Sequence, residues 1–139
     1  GYVTALAGRW LCSGYEHERI PAAGFDEHYV WGIYTDKLPP GVKHTGAYES
    51  KGVTSRYWHP CIIHNGKYEP TKPSDYGPDL VANYCLDFMR RTRHRPFCLF
   101  YAMILPHAPY CDTPDPENPG KKNVQFTERR FHIWYHCKT

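Results

Sequence analysis

Hydrophobic and polar positions fall into a few separate patterns along the chain, and each pattern predicts a different element. Residues 2–7 (YVTALA) are short, apolar and partly β-branched before Gly8-Arg9-Trp10, which predicts a strand ending near Gly8. Residues 13–54 hold most of the glycines together with Pro21, Pro39 and Pro40 and show no sustained period, so they read mostly as loop, with a brief strand around 29–34. Residues 57–68 include CIIHNGK, where Asn65-Gly66 sits between β-formers and can supply the positive φ angles of a type I′ turn; a β-hairpin follows. In PSDYGPDLVANYCLDFMRRTRHRP, Pro78 and Asp79 suit a first helical turn, and Leu80, Val81, Tyr84, Cys85 and Phe88 recur at helical spacing. This predicts an amphipathic helix of roughly four turns, stopped by Pro96.

The run FCLFYAMI, residues 97–104, follows that helix almost at once. Its unbroken apolarity predicts a buried strand covered on both faces, as in a parallel sheet flanked by helices. Helix followed closely by buried strand is half of an α/β unit, so the fold class is α/β. Residues 106–122 carry five prolines and read as an extended loop, and residues 127–135 read as a further helix cut short. With an apolar strand at one end and an apolar, aromatic segment at the other, the chain is expected to be an internal piece of a larger domain.

Composition changes this picture little. A length of 139 residues suits a single domain. Seventeen basic against fourteen acidic residues leave +3, an excess too small to indicate a nucleic-acid partner, and Arg90, Arg91, Arg93 and Arg95 cluster where cations favour the carbonyl end of the predicted helix. No apolar run reaches the roughly 18 residues of a membrane span. The six cysteines form no C-x-x-C pair, which disfavours a zinc ribbon. Cys85 and Cys98 fall in apolar patterns and read as small core residues, while Cys12, Cys61 and Cys111 are open to pairing in an oxidising compartment.

In an open α/β sheet, the loops leaving the carboxyl ends of the strands build the ligand site. The first strand delivers Arg9 there, and the 97–104 strand delivers Pro106-His107. If the two strands are parallel neighbours, Arg9 and His107 converge on one anion: arginine offers a planar fork of donors to sulfate or phosphate oxygens, and histidine can give a hydrogen bond or a proton. For each, an ordinary surface or loop role is the competing reading. The groups His59, Cys61, His64 and His132, His136, Cys137 each fall short of a convergent zinc set. Asp26, Glu27 and Asp75 form no helical carboxylate pair, and G-x-S-x-G elbow, phosphate loop and dinucleotide fingerprint are all missing from the sequence.

Taken in order, GYVTALAGRWLCSG, GFDEHYVWG, RYWHPCIIHNGKYE, YGPDLVANYCLDFMRR and RPFCLFYAMILPHAPY resemble the middle part of the sulfatase family, of alkaline-phosphatase-like fold, over nearly the whole chain. The closing RRFHIWYHCKT resembles the helix that follows in that family. The resemblance implies one partial sulfatase-like domain over residues 1–139, a mainly parallel sheet flanked by helices with the hairpin as an excursion, and hydrolysis of sulfuric esters in the complete protein. It implies a sulfated small molecule or sulfated glycan as substrate, a formylglycine nucleophile made from a C/S-x-P-x-R motif, and bound Ca²⁺ held by paired acidic residues. Neither motif occurs here, so nucleophile and metal are expected outside this chain, with no metal ligand within it, and the isolated chain is expected to be inactive.

Two family positions do fall within it. The G-K-W-H-L-G motif aligns with Gly8-Arg9-Trp10-Leu11-Cys12-Ser13, so Arg9 keeps the charge of the family's lysine while Leu11 replaces its histidine. His107 matches the histidine of the P-H-x-P loop. The resemblance thus makes Arg9 a sulfate-binding residue and His107 both a binding and a catalytic one. It leaves two rivals: a non-catalytic or truncated relative that binds an anion, and a phosphate-ester hydrolase of the same superfamily. It also implies a lysosomal, periplasmic or extracellular setting.

Overall fold

The computed structural model describes residues 1–10, 17–32 and 57–105, together with the backbone pairs 113–114 and 122–123. The chain divides into two compact units, Gly1–Ile104 and Leu105–Thr139. The first is built on a five-stranded sheet. β1 (Val3–Gly8), β2 (Glu27–Trp31), β3 (Ile62–His64), β4 (Lys67–Glu69) and β5 (Phe97–Ala102) stand in the order β4-β3-β2-β1-β5, with α1 (Gly77–Thr92) between β4 and β5 in sequence. β1 is parallel to both β2 and β5, while β2-β3 and β3-β4 are antiparallel. The fold is therefore α/β with a mixed sheet, and the hairpin widens the same sheet.

β1 lies between its two parallel partners, and residues 5–8 are all buried. Strand alternation puts Ala5 and Ala7 on one face with Glu27, Tyr29, Phe97, Leu99 and Tyr101 beside them. α1 packs against that face. The ring of Tyr84 stacks on Tyr29 with centroids 4.8 Å apart, and Phe88 meets Phe97 edge-on at 5.7 Å. Of the residues whose spacing predicted the helix, Val81, Tyr84, Cys85 and Phe88 are buried and Leu80 is half-buried, with Pro78 in the first turn and Arg90 and Arg91 in the last. Full burial of a side chain such as Phe88 contributes about 1.5–3 kcal/mol.

The opposite face is closed differently. Two 3₁₀ turns, His17–Arg19 and Pro21–Ala23, cross from β1 towards β2, and Ile20 between them packs with Leu6, Val30 and Ile63. Thr4 and Asp26 lock the end of the crossing: the Asp26 carboxylate accepts from the Thr4 amide at 2.8 Å and from its hydroxyl at 3.0 Å, and the Asp26 amide donates to the Thr4 carbonyl at 3.1 Å. The Thr4 amide, and then its hydroxyl, hold the Asp26 carboxyl below the usual range.

Three expectations need correction. The 97–102 strand is not covered on both faces: β5 is the last strand of the sheet among the described residues, Phe100 on the face away from α1 is 57% exposed, and Tyr101 on the α1 face is still 37% exposed. Its apolar run reflects one face under α1 and another that stands open, a distinction composition alone does not carry. Cys98 belongs to that open face and is exposed, unlike the buried Cys85. In the second unit, β6 (Thr113–Pro114) and β7 (Lys122–Asn123) pair antiparallel within and beside the stretch expected to be loop. The helix expected over 127–135 lies outside the described residues.

The hairpin turn is tied down by a buried histidine. Asn65 and Gly66 have φ of 48° and 80°, as the Asn-Gly reading requires. The Asn65 side chain accepts from the His28 amide at 2.7 Å, the Asn65 amide donates to the His28 carbonyl at 2.8 Å, and the Gly66 amide donates to His28 Nε2 at 2.9 Å. Accepting at Nε2 requires the neutral ring. Burial above all, then the charges of His17 and His64, push its pKa down to about 4. The unfolded chain, with the ordinary value near 6.5, therefore binds the extra proton first, and stability is lost as pH falls from about 6.5 to about 4 by up to about 3 kcal/mol. Urea denaturation across that range is expected to show this slope in the wild type and a flatter one in His28→Gln, whose amide oxygen can still accept from Gly66; equal slopes would refute the assignment.

Candidate functional site

The carboxyl end of β1 is set by contact with β5. Gly8 is in register with Ala102, and the Arg9 amide donates to the Ala102 carbonyl at 2.9 Å. Gly8 has φ of 96°, and a Cβ placed on it would overlap the Ala102 carbonyl oxygen, so two constraints select glycine at once. The turn after Gly8 leaves Arg9 and Trp10 half-buried at the sheet's edge. Because β1, β2 and β5 run parallel, Arg9, Gly32 and Met103-Ile104 all leave the sheet at the same end. A cationic fork at the mouth of parallel strands is suited to holding a tetrahedral anion.

His107, the second residue expected at this mouth, lies outside the described residues, as do Leu11 and Cys12. The structure thus fixes where Arg9 stands and where β5 ends. Among the described residues, no three His, Cys, Asp or Glu side chains converge as a resident cation requires. Of the zinc candidates, His64 Nδ1 lies 2.9 Å from Glu69 Oε2, and Cys61 is a fully buried free thiol. Burial pushes its pKa up to about 12.

The other carboxylates do structural work at the far end of the strands. Glu27 opens β2 and takes a two-pronged bond from Arg91, Nη1 to Oε1 at 3.1 Å and Nη2 to Oε2 at 2.9 Å. Arg91 Nε also reaches Asp87 at 2.6 Å, and the Tyr84 hydroxyl lies 3.4 Å from Glu27 Oε2. The Arg91 hydrogen bonds hold the Glu27 carboxyl below its usual range, whereas burial pushes the Tyr84 hydroxyl upward. Arg91, read from sequence as a helix-end cation, has this more specific task of fastening α1 to β2. Sequence reasoning also missed Arg19: no periodic signal marks the 3₁₀ turn that carries it to the neighbourhood of Trp10.

No family model matches the chain. It is similar to human N-acetylgalactosamine-6-sulfatase, 29% identical over 118 residues, which cover 78% of this chain and 20% of that protein. Among solved structures it is similar to BT4656 in complex with its substrate D-glucosamine-2-N,6-O-disulfate, at 25% identity and a TM-score of 0.53, over 82% of this chain and 18% of that one. Ps i-CgsB in complex with k-i-k-neocarrahexaose shares the fold at 22% identity and a TM-score of 0.53, over 81% and 25% of the two chains. The chain thus spans about a fifth to a quarter of the length of these proteins.

Gly8 offers a test of the strand contact that positions Arg9. Gly8→Ala and Gly66→Ala both place a side chain at positive φ, but nothing lies within 4 Å of a Cβ on Gly66. Backbone strain of about 1–2 kcal/mol is common to both, and Gly8→Ala is expected to cost at least about 2 kcal/mol more because β1 and β5 must separate. Chemical denaturation of the two variants compares them directly, and equal losses would remove the steric argument.

Proposed function

The chain is related to sulfatases and corresponds to one part of such a protein, and on that premise we propose that the complete protein hydrolyses sulfuric esters, with this chain supplying one wall of the sulfate pocket. The observation that carries the proposal is the position of Arg9, held by the Gly8–Ala102 register at the carboxyl end of parallel strands. Arg9 binds sulfate oxygens through its guanidinium fork. The alignment with the sulfatase P-H-x-P loop makes His107 the second proposed sulfate-binding residue, donating a hydrogen bond to the sulfate and a proton in catalysis. The formylglycine nucleophile and Ca²⁺ of such a reaction are supplied from outside this chain. The substrate is a sulfated sugar or other sulfated small molecule; the human relative is an N-acetylgalactosamine-6-sulfatase, and BT4656 takes D-glucosamine-2-N,6-O-disulfate as its substrate.

Leu11, standing where sulfatases have a histidine, favours a second reading: a relative that retains anion binding without turnover. Full-length protein assayed with paired aryl sulfate and aryl phosphate esters separates these. Turnover of the sulfate ester is expected, and Arg9→Gln should lower kcat/KM roughly 100-fold by removing charge stabilisation of the transferring group. Arg9→Lys should retain part of the rate. Sulfate binding without turnover would establish the second reading, preference for the phosphate ester would move the protein to phosphoryl transfer, and wild-type activity in Arg9→Gln would take Arg9 out of the site. The isolated 139-residue chain is expected to turn over neither ester.

A further inference from the structure

At the tip of the hairpin, one buried histidine touches both halves of a dipeptide whose parts can react with each other. In an Asn-Gly sequence the glycine amide nitrogen can close onto the asparagine side-chain carbonyl carbon, because glycine has no side chain to obstruct the ring. Here that nitrogen, on Gly66, donates its hydrogen to His28 Nε2 at 2.9 Å, and the oxygen of the target amide, Asn65 Oδ1, accepts from the His28 backbone N–H at 2.7 Å. The nucleophile thus faces a proton acceptor and the electrophile a proton donor, both on one residue. His28 is 3% exposed, and burial, ahead of the charges of His17 on the first 3₁₀ turn and His64 on β3, pushes its pKa down to about 4, so the ring is able to accept throughout the neutral range. Asn65 and Gly66 themselves are exposed, and nothing lies within 4 Å of the place a Cβ on Gly66 would occupy. A closing ring, and the water that later opens it, have room there.

We propose that the Asn65-Gly66 turn is a self-modifying site at which His28 assists the intramolecular conversion of Asn65 to aspartate and isoaspartate. The Gly66 nitrogen attacks Asn65 Cγ and gives its proton to His28 Nε2, forming the new C–N bond of a five-membered ring. The charge that gathers on Oδ1 is met by the His28 backbone N–H, which acts as an oxyanion donor. Collapse of this intermediate breaks the Cγ–Nδ2 bond, and the proton held by His28 leaves with Nδ2 as ammonia. Water then adds to either carbonyl of the resulting succinimide and breaks the C–N bond at that carbon. Opening at Cγ leaves an ordinary aspartate, and opening at the main-chain carbonyl leaves isoaspartate, with an extra methylene in the backbone. One water is consumed and one ammonia released, with no change of oxidation state. The aspartate carboxylate keeps an acceptor for the His28 amide, whereas isoaspartate lengthens the two-residue turn and disturbs the pairing of Ile63 with Tyr68 and His64 with Lys67 that holds β4. The hydrogen bonds that fasten the hairpin thereby also prime it for this chemistry.

The experiment follows Asn65 in the full-length protein kept at neutral pH and physiological temperature. Peptide mass spectrometry reads the gain in mass as –NH₂ is replaced by –OH, and enzymatic methylation of isoaspartate identifies the isomer. Folded wild-type protein is expected to convert at least about tenfold faster than the same protein unfolded in urea, where His28 no longer meets the turn. His28→Gln, whose amide oxygen can accept from Gly66 but cannot take its proton, is expected to slow conversion in the folded state roughly 100-fold, the lower end of what a positioned base contributes. Conversion in folded wild type that is equal to or slower than in urea would overturn the proposal and make the turn a shield for its asparagine. That comparison needs no variant and decides the question even if His28→Gln fails to fold. A His28→Gln protein that is folded by circular dichroism and converts as fast as wild type would overturn it equally.

Discussion

The contact of Gly8 with the Ala102 carbonyl governs how this chain presents its chemistry. With no side chain at Gly8, β1 and β5 close to hydrogen-bonding distance at their very ends, and the Arg9 amide extends the ladder by one further bond to Ala102. The positive φ then turns the chain out of the sheet. Any larger residue would open the gap between the strands or force β1 to end earlier, and the guanidinium would leave the sheet mouth. The same register fixes where β5 stops, so a single backbone contact sets the origins of both loops that the sulfatase reading requires. Ala5 and Ala7, fully buried beside it, serve the same end by letting α1 sit close over the central strand.

The sheet separates holding from binding along its length. At the amino end of β2, Arg91 grips Glu27 and Asp87 from the last turn of α1, and Tyr84 stacks on Tyr29 beneath. Thr4 and Asp26 close the crossing on the opposite face. His28 anchors the Asn65-Gly66 turn, so the hairpin is fastened to the parallel half of the sheet by side chain as well as by ladder. Such ties are worth little where they are exposed; the Arg91–Glu27 pair lies partly in solvent and contributes on the order of 1 kcal/mol at most. They act chiefly to fix orientation. The carboxyl ends of the parallel strands, by contrast, carry a half-buried arginine and a tryptophan, groups that a sheet can hold there only because its stability is secured elsewhere.

Much of this is legible in the sequence. The hairpin followed from Asn65-Gly66, because few dipeptides accept two successive positive φ angles. The helix follows from the spacing of Leu80, Val81, Tyr84, Cys85 and Phe88, and Arg9 as the residue delivered by β1 follows from where the apolar run stops. What the pattern did not carry is just as physical. Period-two alternation disappears when both faces of a strand are apolar, so Phe97 to Ala102 reads the same whether covered on both sides or, like Phe100, open on one. The crossing at 17–23 has no period at all, since short 3₁₀ turns are too brief to repeat; Ile20, one of the most buried residues, and Arg19 beside it gave no local signal. His107 stood out by its prolines, yet its placement lies outside the described residues.

On the proposed sulfatase reading, arginine at position 9 decides what kind of wall this chain would supply. A lysine there can lose its proton when desolvated and so can take part in proton transfer as well as binding; a guanidinium keeps its charge throughout the accessible pH range. With Leu11 at the position where sulfatases have a histidine, Gly8 to Leu11 carry a fixed positive charge and no imidazole. On the sulfatase reading, proton donation to the leaving oxygen is then left to His107 or to a group outside the chain, while Arg9 acts by charge and geometry alone. An always-charged fork also makes anion affinity nearly independent of pH at this wall.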